Sequence, residues 1–197
     1  MDGAQARLSE THAYVLAVVP PKLHLRASRT RGETVIQAVG ESHFTLLELV
    51  PAAGTRTHSQ ERVAIQKTNT GKIEYVKRRL VYEDLTPESL AELPLVVEII
   101  VTKHESRFVQ FFNEAQPLTT RMHSLQLLPG VGQTLMWAIL EERKKEPFKS
   151  FDDISARTKL QNPKKAVTAR IITELGEETR RWLFIRPPPR NEEQPDR

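Results

Sequence analysis

The feature that most constrains this fold is the change of hydrophobic period at Thr86-Pro87-Glu88. Before it, short β-branched runs bounded by Pro, Gly, Asn or charged residues read as strands: Tyr14–Val19, Thr34–Val39, Phe44–Val50, Arg62–Gln66 and Tyr75–Tyr82. After it, apolar residues recur every three to four positions, as on one face of a helix. Strands followed by helices predict an α+β fold. About five short strands suggest a small closed barrel of the OB type, because closure removes exposed edges. The expected organisation is a barrel over 11–84, connecting helices over 85–116, an all-α unit over 117–185 and a mobile tail over 186–197.

Thr86 has the chemistry of an N-cap, and Pro87 suits the first helical position. Pro94 should end that short helix, since an interior proline loses a hydrogen bond and clashes with the preceding turn. A second, long helix is then expected from Leu95 to about Ala115, burying Val97, Ile100, Val101, His104, Phe108, Phe111 and Phe112. It would act as a strut between the two halves.

The C-terminal half contains Leu128-Pro129-Gly130-Val131-Gly132. Pro117 is expected to open a helix presenting Leu118, Met122 and Leu125, and a second helix is expected from Gln133 to Lys145. Pro129 would stop the first helix, both glycines would take torsions forbidden to other residues, and Val131 would plug the gap. The amides of Val131, Gly132, Gln133 and Thr134 would then face solvent, where unpaired N–H groups and the helix dipole favour a phosphate oxygen. Such contacts read backbone rather than bases.

These residues resemble the helix-hairpin-helix family, whose LPG(I/V)G loop binds DNA or RNA phosphates without sequence preference. The resemblance also implies a monovalent cation on the loop carbonyls, the only cofactor expected. Gln133 departs from the pattern, which often has a cation there. Downstream, Ser150 and Asp153 form a capping pattern, and Asn162-Pro163 opens a helix that Gly176 closes. This second pair would complete the core beneath the hairpin, with Lys144, Lys145, Lys149, Lys164 and Lys165 as phosphate contacts.

A wider resemblance runs from Tyr14 through Ile185. The strings GESHFTLLELVP, VKRRLVYEDLTPESLAELP, RFVQFFNEAQPLTTRMHSLQLLPGVG and AILEERKKEPFKSF are similar to the archaeal family called domain of unknown function 655. That resemblance implies an OB-like N-terminal part, a helix-hairpin-helix C-terminal part and nucleic-acid or nucleotide binding.

Charge is unevenly spread: residues 67–82 carry +4, residues 83–106 carry −5 and residues 117–185 carry +4. Two basic zones flanking an acidic one suit a nucleic-acid binder with one contacting face. In the N-terminal half the candidate contacts are Lys22, Arg26, Arg29 and Arg31 in one loop, and Lys67, Lys72, Lys77, Arg78 and Arg79 around an Asn69-Thr70-Gly71 turn. Barrel loops of this kind grip single strands, which favours RNA over DNA. Tyr75 and Tyr82 are the candidate stacking residues, while Trp137 is expected in the core.

The chain has no cysteine, which excludes disulfides, thiolate metal sites and cysteine nucleophiles. Its six histidines share no metal-ligand spacing, and it lacks GxxxxGK[ST], GxSxG and HExxH. A non-catalytic, cytoplasmic nucleic-acid-binding protein is the reading these observations favour. One alternative is a glycosylase or lyase, in which a catalytic Asp follows such a hairpin by about twenty residues; Asp152 and Asp153 lie near that distance. Another is a protein-binding scaffold on the ribosome or RNA polymerase.

Overall fold

The computed structural model describes residues 10–21, 33–65, 71–176, 179 and 181–185. Five strands form one antiparallel sheet: β1 (His12–Val19), β2 (Val35–Gly40), β3 (Leu46–Pro51), β4 (Arg62–Ala64) and β5 (Ile73–Arg79), in the order β4-β1-β2-β3-β5. Register irregularities at Val15/Ala17 on β1 and at Glu48/Leu49 and Val50/Pro51 on β3 bend these strands and curl the sheet. Among the described residues no pairing joins β4 to β5, so the sheet is a half-barrel rather than the closed one expected.

Strand alternation divides the core in two. Ala13, Val15, Ile36, Ala38, Leu47, Leu49, Val63 and Ile73 fill the hollow of the sheet. Their neighbours Tyr14, Leu16, Val39 and Leu46 point the other way and join the helices in one larger cluster. Both faces of β2 are therefore covered, which is why all six of its residues are buried. Gln37 ties the sheet to the change of period: its amide donates to the Asp84 carbonyl and accepts from the Thr86 N–H, both at 2.9 Å.

Thr86 caps α1 (Pro87–Lys103), accepting from Ser89 N–H at 3.3 Å. Contrary to expectation, α1 runs straight through Pro94. Leu93, Val96 and Val97, buried in the core on either side of it, hold the turn that proline weakens, while Pro94 itself faces solvent. The break falls instead at His104, whose φ of −110° and ψ of 34° separate α1 from α2 (Glu105–Glu114). His104 is half-exposed, not part of the stripe, and its ring reaches Glu41 Oε1 at 3.1 Å. α1 lies packed between β1 and the last helix, α5 (Pro163–Gly176).

The helix expected from Pro117 is absent. Pro117–Thr119 and Met122–His123 form a small hairpin, β6 and β7, followed by a 3₁₀ turn over Ser124–Leu127. His123 fixes that turn, its Nδ1 accepting from Leu125 N–H at 3.1 Å while its own N–H donates to Gln126 Oε1 at 2.8 Å. Then come α3 (Gln133–Lys145) and α4 (Phe151–Arg157), the latter capped by Ser150 as expected. Asn162 caps α5, its Oδ1 accepting from Lys165 N–H at 2.9 Å.

Candidate nucleic-acid interface

The LPGVG loop joins the 3₁₀ turn to α3. Leu128 and Val131 are buried and belong to the larger core, so the loop is anchored from beneath. Gly130 has φ of +83°, a torsion that demands glycine, whereas Gly132 has φ of −78° and ψ of 179° and does not. The expectation of forbidden torsions thus holds for one glycine only. A Cβ at either position would meet no atom within 4 Å, so the outer surface of the loop is open.

Val131 is also corrected as a donor, because its N–H already bonds to the Leu128 carbonyl at 3.1 Å. The first intrahelical bond of α3 is from Met136 N–H to the Gly132 carbonyl at 2.9 Å, leaving the N–H groups of Gly132, Gln133, Thr134 and Leu135 without backbone acceptors. They stand at the positive end of a 13-residue helix. Residues 126–132, with Arg170 and Thr173 of α5, line an open groove of about 480 Å³.

The predicted cations divide by what they touch. Lys145 pairs with Glu142 at 2.6 Å, Lys149 with Glu146 at 2.6 Å and Lys164 with Glu98 at 3.0 Å. Lys145 and Lys149 hold Glu142 and Glu146 below the usual carboxylate range through these contacts. Lys144 and Lys165 are exposed and have no ion pair among the described residues. In the sheet, Lys72 bonds to Glu61 at 2.5 Å, Lys77 lies between Glu33 and Glu48, and Arg78 bridges Glu48 and Asp84. Only Arg79 of that group is unpaired among the described residues. Lys22, Arg26, Arg29, Arg31 and Lys67 lie outside the described residues.

Of the aromatics, Tyr75 is exposed as expected, but Tyr82 falls beyond β5 in a 3₁₀ turn and packs against the core and Gly176. Trp137 reverses the expectation: it is 53% exposed on α3, just over one turn from the free amides. Its spacing from Ile139 and Leu140 signals this, since those two and Met136 define the buried face.

Two further groups escaped the sequence reading. Arg170, not among the expected phosphate contacts, is 8% exposed and lines the groove. Around Glu41, whose side chain is nearly buried, converge Arg62 at 2.7 Å, Lys103 at 2.9 Å and His104 at 3.1 Å. Burial pushes the Glu41 carboxyl up, but hydrogen bonds from Arg62, Lys103 and His104 outweigh it and hold the group at about 2. Such a three-way convergence joins β4, α1 and the β2–β3 turn, residues too far apart in sequence to be linked by spacing.

Asp153, the candidate catalytic carboxylate, accepts from Lys149 N–H at 3.0 Å and pairs with Arg157 at 3.2 Å. The Lys149 amide lowers its pKa, the Arg157 guanidinium adding to the effect, as befits a capping residue. Among the described residues no group of three or more His, Asp or Glu is placed to hold a metal ion, and no helix is long and apolar enough to cross a membrane.

A curled five-stranded antiparallel sheet packed on five helices, with an open loop at a helix start, defines a mixed α+β protein. The family model "Protein of unknown function (DUF655)" matches residues 9–186, and the chain belongs to that family. It is 40% identical over 156 residues to an uncharacterized protein, MJ0038, of Methanocaldococcus jannaschii, covering 78% of this chain and 71% of that one. It is also similar to the crystal structure of Af1531 from Archaeoglobus fulgidus, a member of the same family, with TM-score 0.80 and 47% identity over 89% of this chain and 99% of the other.

Proposed function

We propose that this chain is a non-catalytic nucleic-acid-binding protein that grips backbone phosphate at the LPGVG loop. In this reading the half-barrel is an OB-like element, and the 3₁₀ turn, loop and α3 make up a helix-hairpin-helix whose first helix is shortened. The observation that carries it is the open loop surface: four N–H groups at the start of α3 lack backbone acceptors, and neither glycine leaves a neighbour in the way. Lys144, Lys165 and Arg79, cations without an acidic partner among the described residues, supply the long-range attraction. Exposed Tyr75 and Trp137 favour a ligand with unpaired bases, and single-stranded RNA is the ligand of this reading. Cytoplasmic location and association with the translation or transcription machinery belong to the same reading. The monovalent cation rests on the resemblance of the loop alone, and no part of the grip depends on it.

The test is fluorescence anisotropy with a 20-nucleotide single-stranded RNA at several salt concentrations. Micromolar affinity that falls steeply with salt is expected, and the doubly substituted Gly130→Glu, Gly132→Glu protein should bind at least tenfold more weakly while keeping its circular dichroism. Binding that ignores salt, or survives the double substitution in a folded protein, refutes the proposal.

A further inference from the structure

The groove beside the loop contains one charged side chain, Arg170 from α5. Its position is unusual for a cation, with only 9% of the side chain exposed. Arg170 Nε donates to Glu174 Oε1 at 2.8 Å, and Nη2 donates to the Arg181 carbonyl and to Thr179 Oγ1. Nη1 makes no hydrogen bond among the described residues and is not sealed from solvent, so this edge of the guanidinium is left open to a ligand.

Glu174 does not occupy that edge. Its carboxylate is wholly buried and its oxygens are committed elsewhere: Oε1 also accepts from Leu183 N–H at 2.8 Å, and Oε2 accepts from Phe184 and Ile185 N–H at 3.0 Å. The segment Arg181–Ile185 is thereby clasped to α5, and Phe184 secures it by edge contacts with Phe108 and Phe111. Three amides and one guanidinium edge surround the carboxylate on its own side, and no acidic residue lines the groove on the other.

We propose that Arg170 is the charged phosphate-binding residue of this groove, held beside it by the Glu174 clasp, and that one phosphodiester is held between its Nη1 and the Gly132 amide, the free N–H at the start of α3 whose residue lines the groove. This rests on the loop gripping nucleic-acid backbone and adds the residue that gives the grip its charge. A guanidinium already immobilised loses little side-chain entropy on binding, unlike the mobile Lys144 and Lys165. The geometry also explains how a loop with Gln133 in place of the usual cation retains a positive partner: the charge arrives from another helix.

The experiment compares wild-type protein with Arg170→Gln and Arg170→Lys on the same 20-nucleotide RNA, with circular dichroism and melting as controls. Arg170→Gln should bind about tenfold more weakly, and its log–log salt slope should be shallower by roughly 0.7, the loss of one single-strand phosphate contact. Arg170→Lys should restore the slope, because charge is kept, without restoring full affinity. A folded Arg170→Gln protein with unchanged slope overturns the assignment while leaving the loop reading intact. If the wild-type protein does not bind at all, both fall. Should the variants fail to fold, the guanidinium N–H resonances of Arg170 in ¹⁵N-labelled wild-type protein decide: they should shift on adding RNA, and resonances that stay fixed while the Gly132–Thr134 amides move overturn it.

Discussion

Arg62 meets Glu41 with two nitrogens, Nε at 3.0 Å from both carboxylate oxygens and Nη2 at 2.7 Å from Oε2. The fork joins β4 to the turn after β2, and Lys103 and His104 bring the end of α1 to the same carboxylate. One side chain thus pins the break between α1 and α2 to the sheet.

This fork makes stability depend on acid. Glu41 sits at about 2 in the folded protein against an ordinary value of 4.5, so the folded state prefers the carboxylate. The stabilisation is complete above about pH 5 and is lost as pH falls through 4.5 towards 2. Glu41→Gln should cost about 1–3 kcal/mol at pH 7, and the difference from wild type should shrink as the pH is lowered towards 2. Urea melts at pH 7 and pH 3 measure it; a constant difference would mean that the fork contributes no charge-dependent stability.

Pro94 yields the second expectation. It is exposed inside α1 and denies the Leu90 carbonyl its helical partner. Pro94→Ala should restore that bond and raise stability by about 1 kcal/mol, part of the gain being offset by the freer unfolded chain. Thermal unfolding gives the sign. A lower melting temperature would indicate that Pro94 relieves a packing constraint in α1.

The strands and the two capped starts at Thr86 and Ser150 were legible because their signals are local: alternation, and a side-chain oxygen three residues before the amide it meets. Pro94 and Pro117 misled for the opposite reason. Local chemistry forbids the one and permits the other in a helix, yet buried Leu93, Val96 and Val97 carry α1 past Pro94, while Pro117 pairs with His123 in a hairpin. At the candidate site the loop was readable from five residues, whereas Arg170 was not, because its burial depends on Glu174 and the segment Arg181–Ile185.

The two loop glycines should respond differently to the same change. Gly130→Ala forces a side chain into φ of +83° and should cost about 1–2 kcal/mol, although there is room for the methyl group. Gly132→Ala meets no such torsion and should cost less, about 0.5 kcal/mol, the preference for glycine over alanine at an N-cap. Chemical denaturation of the two variants separates them, and equal losses would contradict the loop geometry described for α3.

Within the proposed phosphate grip, Trp137 offers the sharpest test of whether the ligand is single-stranded. A tryptophan 53% exposed on α3 buries little against the protein, so Trp137→Ala should change stability by no more than about 0.5 kcal/mol. The same ring stands four residues from Gln133, about 6 Å along the helix axis, a separation over which a base can stack while its phosphate sits at the amides. Stacking on an aromatic is worth about 1–3 kcal/mol per base, so the variant should bind single-stranded RNA roughly tenfold or more weakly. A duplex keeps its bases stacked on one another and should lose almost nothing. Equal losses on both ligands would mean that Trp137 acts on the backbone, and no loss on either would remove base stacking from the proposed grip while leaving the phosphate contacts untouched.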